Sequence, residues 1–214
     1  MKLSRKAFEA RYKQGHLKLA FIGMSNIGKS YTAMRLAAAY DFNLIEVDKI
    51  IWENLGHDSM DAFAQWQGHP YTKGYGERET QSIALETQAT LKALQTEKRN
   101  PIIDTTGSVI YTDSNVLESL RDEYYIVYIE AMEDHIDRLK TQYFMQPKPL
   151  VWAGHYEKID GKSETESILA CYPKLLASRG KAYAKLADVT LPSSLILNPD
   201  IELKEIFETL KPAL

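Results

Sequence analysis

The sequence predicts an α/β protein in three layers, a five-stranded parallel sheet with helices on both faces. Short apolar runs alternate with longer segments rich in helix formers, the order that produces a parallel sheet covered by helices. The first apolar run leads through a glycine-containing loop straight into a helix-former run. No internal repeat, low-complexity tract or Pro-, Gly- or Ser-rich linker divides the 214 residues, so a single domain is expected over 1–214.

Residues 1–13 carry an amphipathic pattern through Leu3, Phe8 and Tyr12 and read as a helix laid across the fold. Leu17 to Ile22 is the first strand. Residues 29–40, KSYTAMRLAAAY, place Met34, Leu36 and Ala37 at helical spacing. Leu44 to Val47 is the second strand, 81–97 a long helix, and Pro101 to Asp104 the third strand. Tyr124 to Ile129 is the fourth strand and runs into a helix at about 132–142. Residues 143–162 hold prolines, glycines and several aromatics and read as a mobile loop. A helix at about 165–186, a strand near 188–191 and a helix at about 201–211 complete the alternation.

Residues 23–30 read G-M-S-N-I-G-K-S, a full match to G-x-x-x-x-G-K-[ST]. Gly23 and Gly28 permit the backbone angles that turn successive N–H groups of Met24, Ser25, Asn26 and Ile27 inward around phosphate oxygens. The helix starting near Lys29 aims its positive end at the same anion, with Tyr31 in its first turn. Lys29 is expected to reach the outer phosphates and the Ser30 hydroxyl to sit on Mg²⁺, so ATP or a close relative is the expected ligand. The bland alternative is an ordinary glycine-rich turn. A chain this short, without repeats, leaves little room for a motor or a transporter ATPase, which leaves a small-molecule kinase or a nucleotide-dependent switch.

Composition narrows the partners. The chain is 44% hydrophobic, with 26 basic and 29 acidic side chains and a formal net charge of −3. That balance gives no electrostatic reason to expect nucleic acid or an anionic membrane. The single cysteine, Cys171, reads as a small core residue. The N-terminal stretch is too polar for a signal peptide and no run approaches membrane-spanning length, so a cytoplasmic location is the expectation. The five histidines lack ligand-like spacing, so no His/Cys metal site is expected.

Asp48 and Asp104 both follow apolar strands, where open α/β sheets place their ligands. Phosphoryl transfer needs one carboxylate to orient the attacking hydroxyl and another to organise Mg²⁺. Asp48 suits the first task, or else caps the next helix. Asp104 ends the run P-I-I-D and suits the metal, or the base role, or a turn bonded to Thr106. Glu46 is a metal candidate or a solvent-facing strand residue. Arg138, Lys140, Lys148 and Arg179 are either site cations or solvated surface charge.

Together these segments resemble the shikimate kinase branch of the nucleoside-monophosphate-kinase-like P-loop proteins, from about residue 17 to 190. The match runs through IGMSNIGKS, then L-I-E-V-D-K-I-I at 44–51, G-H-D-S-M-D-A-F at 56–63, K-P-L-V-W-A-G at 148–154, and Arg179, Tyr183, Ala187 and Asp188. The resemblance implies the P-loop kinase fold and transfer of the γ-phosphate of ATP to a hydroxyl of a small molecule. It implies an acceptor-binding segment at about 49–86 and a lid at about 143–166. By position, Glu46 would help hold Mg²⁺, Asp48 would grip the reacting hydroxyl, and Lys29, Asp104 and Lys148 would complete the catalytic set. Arg138 or Lys140 would pack near adenine and phosphates, and Arg179 would bind an acceptor carboxylate.

The sequence departs from that family where the acceptor sits. A glycine triplet is replaced by Thr105-Thr106-Gly107, leaving Gly107 to approach the acceptor. A helix arginine becomes Gln81, with Arg78 as its substitute, and the stretch Trp66 to Tyr75 is extra. The changes imply an acceptor other than shikimate. Trp52, Trp66, Trp152, Tyr71 and Tyr75 either pack the core or line an acceptor pocket. A nucleoside or nucleotide kinase and a non-catalytic nucleotide-binding module are the alternatives.

Overall fold

The computed structural model describes residues 3–56, 59–145 and 148–213. His57 and Asp58 of the 56–63 stretch lie outside them. Five parallel strands form one sheet: β1 (Leu19–Ile22), β2 (Asn43–Glu46), β3 (Pro101–Asp104), β4 (Tyr125–Glu130) and β5 (Val189–Pro192), in the order β2-β3-β1-β4-β5. β1 and β3 are buried along their whole length, as strands covered on both faces must be. Register places Phe21 beside Asp104 and Glu46 beside Asp104 on the other side, so β1, β2 and β3 end at one level. That shared edge is where a parallel sheet offers its ligand site.

The helices are α1 (Arg5–Gln14), α2 (Lys29–Ala39), α3 (Val47–Asn54), α4 (Met60–Gln67), α5 (Tyr75–Leu94), α6 (Ser114–Glu123), α7 (Glu133–Met145), α8 (Glu164–Leu186), α9 (Ser193–Leu197) and α10 (Leu203–Leu210). α1 buries Phe8 edge-on against Tyr125 and meets α10 through Tyr12 and Phe207. α8 starts with a capping box in which Ser163 and Glu166 satisfy each other's backbone amides. Asp188 accepts from the Ile126 amide at 2.9 Å and so anchors β5 to β4. Cys171 is buried.

The structure departs from the sequence reading in several places, and the short helices α4 and α9 are among the elements that reading lacked. Val47 opens α3 instead of closing β2, because packing of α3 on α5 outweighs the low helix propensity of its adjacent isoleucines. α5 begins at Tyr75, six residues before the expected start, and α6 had no counterpart in the expected elements. The 143–162 segment is largely irregular, but it is no free loop. α7 occupies it to Met145, and Leu150, Val151 and Trp152 are buried. Three bulky apolar residues in a row outweigh the turn-forming residues around them.

Candidate active site

Gly23 follows β1 at φ +140°, where a Cβ would stand 2.7 Å from the Ile129 carbonyl oxygen. Asn26 (φ 64°) and Gly28 (φ 107°) continue the turn, and Gly28 caps α2 without a side-chain hydrogen bond. The first amides of α2 therefore have no side-chain cap and form an anion site. Ile27 is buried beneath the loop, and the Met24 carbonyl accepts from Lys29 Nζ at 3.0 Å. Burial pulls the Lys29 ammonium below its ordinary value, opposed by the charges of Asp104 and Asp48. The same burial pushes Asp104 up to about 6, countered by Lys29 and by a hydrogen bond from Ser30. Asp104 Oδ1 is buried without a hydrogen-bond partner. Thr106 does not bond Asp104, so the turn reading of that aspartate fails.

Above the loop lies a cavity of about 290 Å³ lined by Ser25, Asn26, Gly28, Lys29, Ser30 and Tyr31, and by Asp48, Arg138, Gln142, Lys148 and Leu197. Asp48 stands in the first turn of α3 but is not its cap, a position that Glu46 holds. Arg138 and Gln142 stand one turn apart on α7 and both reach the cavity. Five segments distant in sequence thus converge on one space: the loop with the start of α2, α3, α7, the stretch around Lys148, and α9. Glu46 is exposed and lines no part of it.

Arg179, Gly107 and Arg78 are placed differently from what the resemblance implies. Arg179 is 0% exposed and gives its guanidinium to the Gly107 carbonyl at 2.5 Å and to the Val151 carbonyl. The Tyr183 hydroxyl donates to the same Gly107 oxygen, and the Arg179 guanidinium lies over the Tyr111 ring at 5.2 Å. Arg179 and Gly107 bind each other. Arg78 donates to the Gln67 and Lys73 carbonyls and to Thr72, closing the extra loop before α5, and Gln81 is exposed.

Comparison with known proteins settles the lineage. The sequence profile described as shikimate kinase matches residues 25–210. The chain belongs to the shikimate kinase family. No curated relative matches it by sequence. Among solved structures it resembles shikimate kinase from Acinetobacter baumannii in complex with shikimate, at TM-score 0.61 and 16% identity, covering 95% of each chain. It also resembles shikimate kinase from Bacteroides thetaiotaomicron, at TM-score 0.62 and 14% identity, covering 92% of this chain and 99% of that one. The Aquifex aeolicus enzyme gives TM-score 0.57 and 18% identity, with 91% and 96% covered. At such identities the likeness is one of fold. Family and fold together are those of a small-molecule kinase with a nucleotide-binding P-loop. No helix among the described residues is long and apolar enough to cross a membrane.

In this family member the segment carrying Lys148 is strapped down. Glu79 Oε1 accepts from the Trp152 amide at 2.5 Å, the Ala153 amide at 3.0 Å and the Tyr75 hydroxyl at 2.7 Å. Gln67 Nε2 donates to the Leu150 carbonyl at 2.8 Å, while its Oε1 accepts from Ser82. The aromatics of the region pack on one another: Trp152, 1% exposed, lies among Tyr143, Tyr156 and Tyr172, and Trp66 stacks on Phe63. Trp152 and Tyr75 are buried, Trp52 and Trp66 half-buried and Tyr71 40% exposed, and none of them lines the cavity.

Sequence reasoning passed over Glu86, Glu79, Gln67 and Gln142. Glu86 is 2% exposed on α5 and accepts from Ser108 Oγ at 2.5 Å and from Thr106 Oγ1. Burial pushes it up to about 7, against the two hydroxyls that favour its charge. A signal was present: Ser82, Ala89 and Ala93 mark one face of α5 as buried, and Glu86 is the acid on that face.

Proposed function

We propose that this chain transfers the γ-phosphoryl group of ATP, bound as its Mg²⁺ complex, to a hydroxyl of a small molecule. The observation that carries the reading is the single cavity in which Lys29 and Ser30 face Asp48, with Lys148 and Arg138 supplied by separate segments. Asp48, which lines that cavity, accepts a hydrogen bond from the attacking hydroxyl in this reading and holds it in line with the terminal phosphate. Lys29 leaves the Met24 carbonyl for the outer phosphate oxygens, an exchange of one oxygen partner for a charged one. Arg138 flanks the nucleotide, and Lys148, as a lid cation, meets the transferring group.

Ser30 and Asp104 fit Mg²⁺, because the Asp104 carboxyl interacts with the Ser30 hydroxyl and keeps one buried oxygen, Oδ1, without a hydrogen-bond partner, and hard oxygen ligands suit that ion. When bound, Mg²⁺ neutralises charge on the phosphates during transfer. The acceptor-binding segment over about 49–86 and the lid over about 143–166 would exclude water from the closed site. Asp48 at the cavity favours a catalyst over a module that only binds nucleotide.

ADP release from ATP–Mg²⁺ in the presence of an acceptor library tests the reading. Lys29→Ala is expected to lower transfer by on the order of 10²-fold or more while leaving the circular dichroism spectrum unchanged. Transfer at the wild-type rate by that variant sinks the proposal.

A further inference from the structure

The stretch from Leu150 to Ala153 is held by side chains of other elements. The Leu150 carbonyl accepts from Gln67 Nε2 at 2.8 Å, and the Val151 carbonyl accepts from Arg179. The Tyr75 hydroxyl shares its one proton between the Leu150 carbonyl at 2.6 Å and Glu79 Oε1 at 2.7 Å. The Trp152 amide donates to Glu79 Oε1 at 2.5 Å and to the Tyr75 hydroxyl at 3.1 Å, and the Ala153 amide donates to Glu79 Oε1 at 3.0 Å. Gln67 on α4 is 0% exposed, and its own Oε1 accepts from Ser82 on α5. Lys148, two residues before Leu150, lines the cavity with Lys29 and Asp48. All of these bonds join protein groups, so holding the stretch in place needs no nucleotide.

We propose that Glu79 is a positioning residue for phosphoryl transfer. Through the Trp152 and Ala153 amides it fixes the stretch that carries Lys148, so this lid cation stands at the cavity before nucleotide arrives. The inference rests on the phosphotransferase reading and adds a residue to it. A carboxylate suits the task, because one of its oxygens accepts from two successive amides and a hydroxyl at once. Glu79 does not line the cavity and acts through backbone groups alone. A free lid must be ordered at every turnover before its cation can meet the transferring group. A lid already bonded to α4 and α5 keeps that cation in place, as a supporting shell of hydrogen bonds does for any preorganised site.

The test is a double-mutant cycle on the full chain, with ATP–Mg²⁺ and the best acceptor from a panel of hexoses, cyclitols, shikimate and nucleosides. Lys148→Ala alone is expected to lower kcat by about 10²-fold. Glu79→Ala alone is expected to lower kcat by about tenfold with the KM for ATP within about twofold, the mark of an interaction made in the transition state. In the Lys148→Ala background, Glu79→Ala should change kcat by less than about twofold, because the group it positions is gone. Glu79→Gln, which keeps an acceptor oxygen, should restore most of the rate. Phe8→Leu, in the core between α1 and β4, is the control for lost stability alone and should lower the melting temperature without lowering kcat. A tenfold fall from Glu79→Ala in both backgrounds, or an equal fall in Phe8→Leu, overturns the proposal. A wild type that phosphorylates no acceptor of the panel removes the phosphotransferase reading and the role of Glu79 with it, whereas additivity in an active enzyme counts against the role alone. Chymotrypsin tests the wild type without any variant. Cleavage after Trp152 should stay within about tenfold of cleavage after Tyr125 in β4, which reports global unfolding. Cleavage after Trp152 that runs faster than this until a non-hydrolysable ATP analogue and Mg²⁺ are added overturns the proposal even if the variants do not fold.

Discussion

Gly23 to Ser30 and the buried cluster of Glu86, Thr106, Gly107 and Arg179 meet where Arg179 contacts Met24, yet bonds of very different range organise them. Within the loop and its helix, Lys29 reaches Met24 over five residues and Thr32 reaches Gly28 over four. Around the cluster Thr106 and Glu86 are 20 residues apart, Arg179 and Val151 28, and Arg179 and Gly107 72. A phosphate is held by backbone amides and a helix end, features that a short stretch of sequence encodes by itself. The cluster is held by side chains from separate elements, so it changes by substitution without rewriting the loop. The difference teaches why a pattern held within a few residues of chain can persist while a cluster built from distant side chains changes around it.

The strongest way to break that comparison is at Arg179. Arg179→Met is expected to lower stability by about 3–5 kcal/mol in urea unfolding, since it strips partners from buried carbonyls. A variant of unchanged stability with only a raised acceptor KM would return Arg179 to the ligand and undo the contrast.

Glu86 sharpens it through pH. Its folded value, about 7, lies above the ordinary 4.5, so its contribution to stability is fully present below about 4.5 and lost as pH rises through about 7. Asp104, raised from 3.8 to about 6, acts in the same direction over a lower window. Glu86→Gln is expected to flatten the fall between pH 5 and 8, raising stability relative to wild type by about 3 kcal/mol at the upper end. Thermal melts across that range check it; parallel curves for variant and wild type would show that Glu86 does not titrate there.

Glu79 tests the strap. Glu79→Ala leaves the Ala153 amide without its acceptor and the Trp152 amide with only the Tyr75 hydroxyl, and is expected to cost about 1–3 kcal/mol. Limited proteolysis should then cut within 148–154, and transfer should slow as Lys148 loses its fixed position. The smallest effect is expected where the two regions touch. A Cβ on Gly107 would stand 2.8 Å from Ser25 Oγ and 3.0 Å from the Ser25 amide. Gly107→Ala should push on the P-loop and weaken ATP-analogue binding by about tenfold in calorimetry. Unchanged affinity would show that the loop is insulated from the cluster.

The residues that could be read in advance share a property. The apolar runs of β1, β3 and β4, the glycines of the loop, and Lys29, Ser30, Asp48 and Asp104 owe their placement to near neighbours in the chain. Arg179 shows the opposite case. Its spacing to Tyr183, Ala187 and Asp188 was visible, but whether a guanidinium meets a ligand or a carbonyl depends on Gly107 and Val151, which no local pattern links to it. Leu150, Val151 and Trp152 were hidden by the turn formers around them, and Gln67 and Glu79, which fasten them, looked like ordinary helix polar residues.

The sequence by itself determined the five strands and the longer helices between them, the phosphate cradle and the acids at the strand ends, because periodicity and glycine placement act over a few residues. Only the tertiary structure decided which charges face the cavity and which are spent inside the protein. A buried charge or hydroxyl takes whichever partner the fold brings within about 3 Å, and here the fold brought Glu86 to Thr106 and Ser108, and Arg179 to Gly107.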